Sequence, residues 1–107
     1  MGAISEKRRE ARQKCDAEVE WAYFNKADFF YARLLNFSGG GSYIECAKPL
    51  IPGATILIRL QTCAASGGEP LIRDMRTTAL GEVKWCRELP AEQIQRFGIG
   101  VRYHIPV

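Results

Sequence analysis

The side chains best suited to chemistry in this sequence are three arginines near its start, Arg8, Arg9 and Arg12. A guanidinium group donates a planar fork of hydrogen bonds, which fits a phosphate or the O6 and N7 edge of guanine. Arg8 and Arg12 are four residues apart, so they project from one side of a helical turn and also share a face in an extended chain. In isolation such a segment is most often a solvated charged tail.

A second group of side chains, in the segment 36–41 with the sequence NFSGGG, is suited to hold a ligand from a turn. Asn36 offers an amide and Ser38 a hydroxyl, and residues two apart at a strand end share a face. Gly41 permits a backbone conformation that brings amide donors close to a ligand. Taken alone, this segment is most often a turn in which Asn36 caps its own backbone.

Motifs for catalysis and for metal binding are missing from the sequence. No GxSxG, HExxH or P-loop string occurs. The single histidine, His104, alternates outward with Arg102 and is expected to be an exposed strand residue without an acid–base partner. The four cysteines are scattered without a CxxC pair, which predicts free thiols in a reducing cytoplasm and no zinc site, and leaves a disulfide open. The sequence therefore predicts neither an enzyme nor a cofactor.

The excess positive charge of the chain is confined to its first residues. The formal net charge is +3, and residues 1–14 hold five basic and two acidic side chains, so the rest of the chain is balanced. A nonspecific DNA or RNA binder usually spreads basic charge over a face of its fold. We therefore expect the partner to be a small anion, and we expect binding of neither DNA nor RNA. No apolar stretch approaches the roughly 20 residues of a membrane span, and no signal-peptide core is present, which predicts a cytoplasmic protein without membrane insertion.

The body of the sequence, residues 15–107, predicts an all-β domain that follows a flexible basic arm, residues 1–14. Apolar and polar side chains alternate with a period of two, the pattern of half-buried strands. The predicted strands cover residues 17–23, 29–35, 43–46, 55–61, 75–86 and 99–105. Short strands at fairly regular spacing, joined by turns, favour an antiparallel sandwich or barrel.

Proline, glycine and tryptophan mark the less regular positions of this pattern. Pro90 near the start of segment 90–98 and Gly98 at its end predict at most one short helix, of two turns. Gly81 interrupts the fifth strand and predicts a bulge. Trp85 falls on the apolar face of that strand, so a place in the core is favoured, with a surface position as a stacking platform left open as the alternative.

With both motifs placed on an all-β chain, the sequence resembles the PilZ domain family, bacterial receptors for cyclic di-GMP. The family hallmark is RxxxR followed, one or two strands later, by [D/N]xSxxG; Arg8 to Arg12 and Asn36 to Gly41 match it. The resemblance extends to three later strands and covers nearly the whole chain: residues 42–46, 81–85 and 97–103.

The resemblance implies a six-stranded antiparallel β-barrel that binds cyclic di-GMP and is not an enzyme. The family pattern assigns these residues to the ligand: Arg8, Arg9 and Arg12 toward guanine edges and phosphates, Asn36 and Ser38 as hydrogen-bond partners from the barrel, and Gly41 in the turn. The ligand is expected to order the arginine arm over the barrel and so to change the surface presented to a downstream protein partner.

Two features depart from the family pattern. Asn36 stands where aspartate is common, which adds a donor and removes a charge, so we expect binding of altered strength. Many members carry a helix after the last strand, and the sequence ends two residues after its last predicted strand. An alternative function is a degenerate PilZ-fold interaction module that binds no nucleotide, although such members usually lack the arginines. A barrel for single-stranded nucleic acid would need exposed aromatics along a basic groove.

Overall fold

The computed structural model describes residues 13–63 and 78–104, and within them the chain forms six β-strands. In chain order these are β1 (Gln13–Tyr23), β2 (Phe30–Ser38), β3 (Gly41–Cys46), β4 (Thr55–Cys63), β5 (Thr78–Glu88) and β6 (Phe97–Tyr103). Each predicted strand has a counterpart, with ends that differ by a few residues. β1 takes in Gln13 and Lys14, which the sequence assigns to the basic arm.

The six strands pair in the order β1-β2-β3-β6-β5-β4 and close into a barrel, because β4 also pairs with β1. Every neighbouring pair is antiparallel. Closure satisfies the backbone N–H and C=O groups that an open sheet leaves along its edge strands. The predicted six-stranded antiparallel β-barrel is confirmed.

The short helix that the sequence indicates over residues 90–98 does not form. Residues 91–95 make turns and bends, and β6 already begins at Phe97. The Leu89 amide donates to the Arg96 carbonyl (2.7 Å), and Glu88 pairs with Phe97. The segment therefore has to reverse the chain between two paired strands, and this constraint overrides a weak local helix preference.

Alternate side chains of the strands point into the barrel and form one core. Trp21 is its largest member, 1% exposed, and its ring centroid lies 5.1 Å from those of Tyr23 and Phe30. The other largest fully buried side chains come from β1 and from every further strand except β2: Ile44, Ile56, Ile99, Val19, Val83 and Cys46. Burial of each large apolar side chain contributes roughly 1.5–3 kcal/mol, which makes this core the main source of stability.

The bulge predicted at Gly81 lies elsewhere in β5. Gly81 is in regular register with Ile56 and Tyr103, whereas the register between β5 and β6 shifts between Val83 and Trp85. A Cβ on Gly81 would lie 2.6 Å from Cγ1 of Val101. The glycine therefore permits close packing against β6, and the prediction of a bulge at this position is wrong.

Cys46 is a free thiol inside the barrel, 1% exposed. Its Sγ donates a hydrogen bond to the carbonyl oxygen of Lys48 (3.2 Å). Burial disfavours the thiolate and raises the pKa of Cys46 from 9.0 to about 11. Cys15 and Cys86 are both partly buried, and Sγ of Cys15 donates a hydrogen bond to the carbonyl oxygen of Leu34 (3.5 Å).

We expect the free energy of unfolding to fall as the pH rises from 9.0 to about 11. The pKa of the Cys46 thiol is raised from 9.0 to about 11 by folding, so over this interval the unfolded chain loses the thiol proton while the folded chain keeps it. Its contribution is complete below pH 9.0 and is lost as the pH passes through the pKa of the folded state. Urea unfolding at a series of pH values measures this. The Cys46→Ala variant should lose less stability over the same interval, and an identical decline in both proteins would contradict the assignment to Cys46.

Candidate functional site

The NFSGGG segment forms the tight turn between β2 and β3. Ser38 pairs with Gly41, and Gly39 and Gly40 make the turn itself. The hydroxyl oxygen of Ser38 accepts a hydrogen bond from the Gly40 amide (3.2 Å), and the Gly40 carbonyl accepts one from the Tyr103 amide (2.8 Å). The turn is thus fixed both by its own serine and by β6. The Ser38 hydroxyl proton can still be donated to a ligand.

Gly41 is required by the close approach of β3 to β6. A Cβ at this position would collide with the carbonyl oxygen of Val101 and would lie 3.3 Å from the Cα of Arg102. Both are backbone atoms, which cannot rotate away as a side chain can. The positive φ angle found among the described glycines belongs to Gly53 instead (94°). Gly41 therefore serves strand packing, where the sequence suggested freedom of its own backbone.

Asn36 lies on the outer face of the barrel beside this turn. The register of β2 against β3 shifts between Leu34 and Asn36, so that Phe37 turns inward, 3% exposed, and Asn36 and Ser38 stand half-buried on either side of it. Asn36 also pairs with Lys14 at the start of β1. The predicted common face of Asn36 and Ser38 agrees with this arrangement, which places the amide next to the point where the arginine segment enters the barrel.

Trp85 is on the outside of the barrel, 41% exposed, so the expectation that it belongs to the core is wrong. Val83 points inward, 0% exposed, and the bulge between Val83 and Trp85 inserts Lys84 as an extra residue. One extra residue moves every following side chain to the opposite face of a strand. The indole ring consequently lies over Gly100 of β6, where only the absence of a Cβ leaves room for it.

A cleft of about 230 Å³ opens on the outer surface between the turn and this indole ring. Its floor is the backbone of β6, and its walls are the β2–β3 turn on one side and the bulged part of β5 on the other. Polar and aromatic groups therefore face one another across a concave surface. The lining residues are Ser38, Gly40, Gly41, Ser42, Lys84, Trp85, Gly100, Val101 and Arg102.

The charges at the cleft favour an anion. Lys84 and Arg102 line it. Nζ of Lys84 lies 3.8 Å from Oε1 of Glu82, which is also the cross-strand neighbour of Arg102. Within residues 13–63 and 78–104, Arg102 makes no ion pair. The guanidinium carbon of Arg87 lies 5.2 Å from the Trp85 ring centroid, so a third cation stands at the aromatic wall. Sequence alternation indicated an outward Arg102, but Lys84 carried no signal, because its position depends on the bulge.

The other predicted site residues, Arg8, Arg9 and Arg12, lie outside the described residues. The structure fixes only where their segment joins the barrel: β1 begins at Gln13, which pairs with Phe37 in the middle of the NFSGGG segment. The residue that follows the RxxxR motif in the sequence is therefore beside the turn, and contact of the motif with a ligand stays a prediction.

Neither a metal site nor a membrane-spanning helix occurs among the described residues. The described residues contain no group of three or more His, Cys, Asp or Glu side chains arranged to hold a metal ion. His104 is exposed, as the sequence indicates, and its Nε2 lies 3.3 Å from Oγ1 of Thr55. None of the described segments forms a helix of the length and apolarity that crossing a membrane requires.

Comparison with known proteins gives a structural likeness and no sequence match. No family model matches the chain, and no curated protein matches it. Among solved structures, the chain is similar to the Bacillus subtilis inhibitor of motility MotI/DgrA, with a TM-score of 0.65 and 14% sequence identity. The similarity covers 92% of this chain and 43% of that protein, so the chain spans less than half of the structure it matches. At this identity the likeness shows the fold alone.

Proposed function

We propose that the chain is a receptor domain for cyclic di-GMP, in which a guanine stacks on Trp85 and phosphate oxygens meet Lys84 and Arg102. The observation that carries the proposal is the cleft beside the Ser38–Gly41 turn, where an exposed indole and two cations line one concave surface. Aromatic stacking accepts any nucleobase, cations attract phosphate, and the turn offers amide and hydroxyl groups. The combination suits a compact nucleotide that carries two negative charges.

The basic arm is proposed to complete this site. Arg12 directly precedes β1, whose first residue pairs with Phe37. Since an extended chain spans at most about 3.6 Å per residue, Arg8 is within about 18 Å of the same point. Arg8 and Arg12 are proposed to fork onto guanine edges and phosphates, with Arg9 as an additional phosphate contact, while Asn36 bonds the ligand from the barrel.

Ordering of the arm is the proposed link from ligand to output. Each residue that becomes fixed costs roughly 1–2 kcal/mol of backbone entropy, and each bidentate arginine–guanine contact of about 1–3 kcal/mol offsets part of it. The fixed arm would present a new surface to a protein partner. Likeness to a protein that inhibits motility supports a regulatory role exerted on another protein. Amide chemical shifts of residues 5–14 that stay unchanged on adding cyclic di-GMP would contradict this mechanism.

Calorimetric titration tests the proposed function directly. We expect saturable binding of cyclic di-GMP by the wild-type chain. Cyclic di-AMP, which has the same backbone and charge, is expected to bind about tenfold more weakly or worse, because adenine lacks the O6 acceptor that an arginine fork reads. Equal affinity for the two nucleotides would mean that the cleft responds to charge and stacking only.

Two further outcomes of this titration would favour the rival functions. Absence of heat and of chemical-shift changes with cyclic di-GMP would support the interaction module. Tight binding of an oligonucleotide that weakens steeply with added salt would support the single-strand-binding barrel instead. Neither rival is favoured by a specific contact in the described residues.

A further inference from the structure

Tyr43 packs against Trp85 without lining the cleft itself. Their ring centroids are 5.8 Å apart and their planes are inclined by 31°. Each ring also covers a glycine of β6: a Cβ on Gly98 would lie 2.5 Å from the Tyr43 hydroxyl, and a Cβ on Gly100 would collide with the Trp85 ring. The two rings therefore lie side by side over β6, at two positions where the strand has glycine and no Cβ.

The hydroxyl group of Tyr43 is anchored on its own strand. It donates a hydrogen bond to Oε2 of Glu45 (2.7 Å), two residues further along β3. Burial, followed by this bond, raises the pKa of Tyr43 to about 12, so the phenol stays a donor throughout the neutral range. The bond restricts rotation of the tyrosine ring, and that ring in turn limits the directions that the neighbouring indole can take.

We propose that Tyr43, anchored by Glu45, is a positioning residue that fixes the orientation of the Trp85 ring at the cleft. Trp85 needs such support because the bulge turns it outward, where 41% of it is exposed and the core does not hold it. A side chain held in its binding orientation loses less rotamer freedom when a ligand arrives. The effect on cyclic di-GMP rests on the proposed function, whereas the orientation of the ring is a property of the free protein.

Fluorescence quenching by acrylamide measures that orientation without a ligand. The chain has two tryptophans, and since Trp21 is 1% exposed, the quencher reports on Trp85. We expect faster quenching in Tyr43→Ala and in Glu45→Ala than in the wild type. Glu45→Gln should behave as the wild type, because its amide oxygen still accepts the phenolic hydrogen bond. Quenching that is unchanged in both alanine variants would overturn the proposal.

A double-mutant cycle measures the consequence for binding. Tyr43→Ala is expected to weaken cyclic di-GMP binding about threefold to tenfold in the wild-type background, the usual range for an aromatic pair. The same substitution should have almost no effect on affinity in the Trp85→Ala background, because no indole is left to be positioned. Thermal unfolding of every variant separates this coupling from a general loss of structure.

The outcomes distinguish this proposal from the proposed function. An equal loss of affinity from Tyr43→Ala in both backgrounds would show a role independent of Trp85 and would overturn the positioning role. A wild-type chain that binds no cyclic di-GMP would reject the proposed function, and the quenching of Tyr43→Ala and Glu45→Ala would then decide the positioning role by itself. Quenching at the wild-type rate in Glu45→Gln, beside faster quenching in Glu45→Ala, would support the hydrogen bond as the anchor.

Discussion

The Arg8→Ala/Arg12→Ala variant is expected to bind cyclic di-GMP about a hundredfold more weakly than the wild type, since each arginine fork onto guanine contributes about 1–3 kcal/mol. The reason for so large an effect is that the two arginines are proposed to read the guanine edges as planar forks. The cations of the barrel are proposed to serve other parts of the ligand: Lys84 and Arg102 line the cleft and meet the phosphates, and Arg87 lies against the Trp85 ring. Titration calorimetry measures the affinity, and unfolding experiments should show nearly unchanged stability.

A matched control separates the arginine motif from its charge. Lys7→Ala/Lys14→Ala also removes two positive charges, one from the arm and one from the start of β1, and leaves RxxxR intact, so only a few-fold loss of affinity is expected. Arg8→Lys/Arg12→Lys keeps the charge and removes the planar fork, and we expect most of the alanine effect to persist. An equal loss of affinity in the Lys7→Ala/Lys14→Ala and Arg8→Ala/Arg12→Ala variants would show that the arginines act only through their positive charge.

Gly100→Ala is expected to weaken ligand binding about tenfold to a hundredfold, the usual range for loss of one base–aromatic stack. A Cβ at this position would lie 2.7 Å from Cζ2 of Trp85 and nearer still to Cε2 and Nε1 of the same ring. The ring would have to leave its place over β6, and the stacking surface of the cleft would leave with it. We also expect a loss of about 1–3 kcal/mol in the free energy of unfolding, as for overpacked sites generally.

Adding Trp85→Ala to this variant gives an internal check. With the indole removed, the methyl group at position 100 has no ring to displace, so the stability lost by Gly100→Ala should largely return. The affinity for cyclic di-GMP should stay low, because the stacking group is still missing. Recovery of binding together with stability would show that Trp85 does not take part in ligand binding and that the guanine stacks on another surface.

The alternation of apolar and polar residues by itself determined the number of strands and their approximate bounds. Ile56, Ile58 and Leu60 repeat at a period of two, and the structure places Ile56 and Ile58 in the core with Leu60 packed against it. Such a pattern is readable locally because the inward face of a strand is a property of consecutive residues. The turn at residues 38–41 could be predicted equally well, because glycines between two predicted strands indicate a tight turn.

Only part of the candidate site could be predicted from the sequence. Asn36 and Ser38 could be placed together on one face, and Arg102 could be placed outward. The direction of Trp85 could not, because it depends on a single extra residue, Lys84, in the register between β5 and β6. A register shift is decided by what the partner strand offers, here a glycine at position 100, and that strand is more than a dozen residues away in sequence.

The features that could not be predicted from the sequence have one physical cause in common. The position of Trp85, the close approach of Gly41 to Val101, the stacking of Tyr43 on Trp85 and the missing helix at residues 90–98 all depend on strand pairing between distant segments. The sequence by itself determined the strand period, the turn at residues 38–41 and the spacing of the two motifs, because each is carried by neighbouring residues. Pairing of β5 with β6 then turned Trp85 to the solvent and formed the cleft beside the turn.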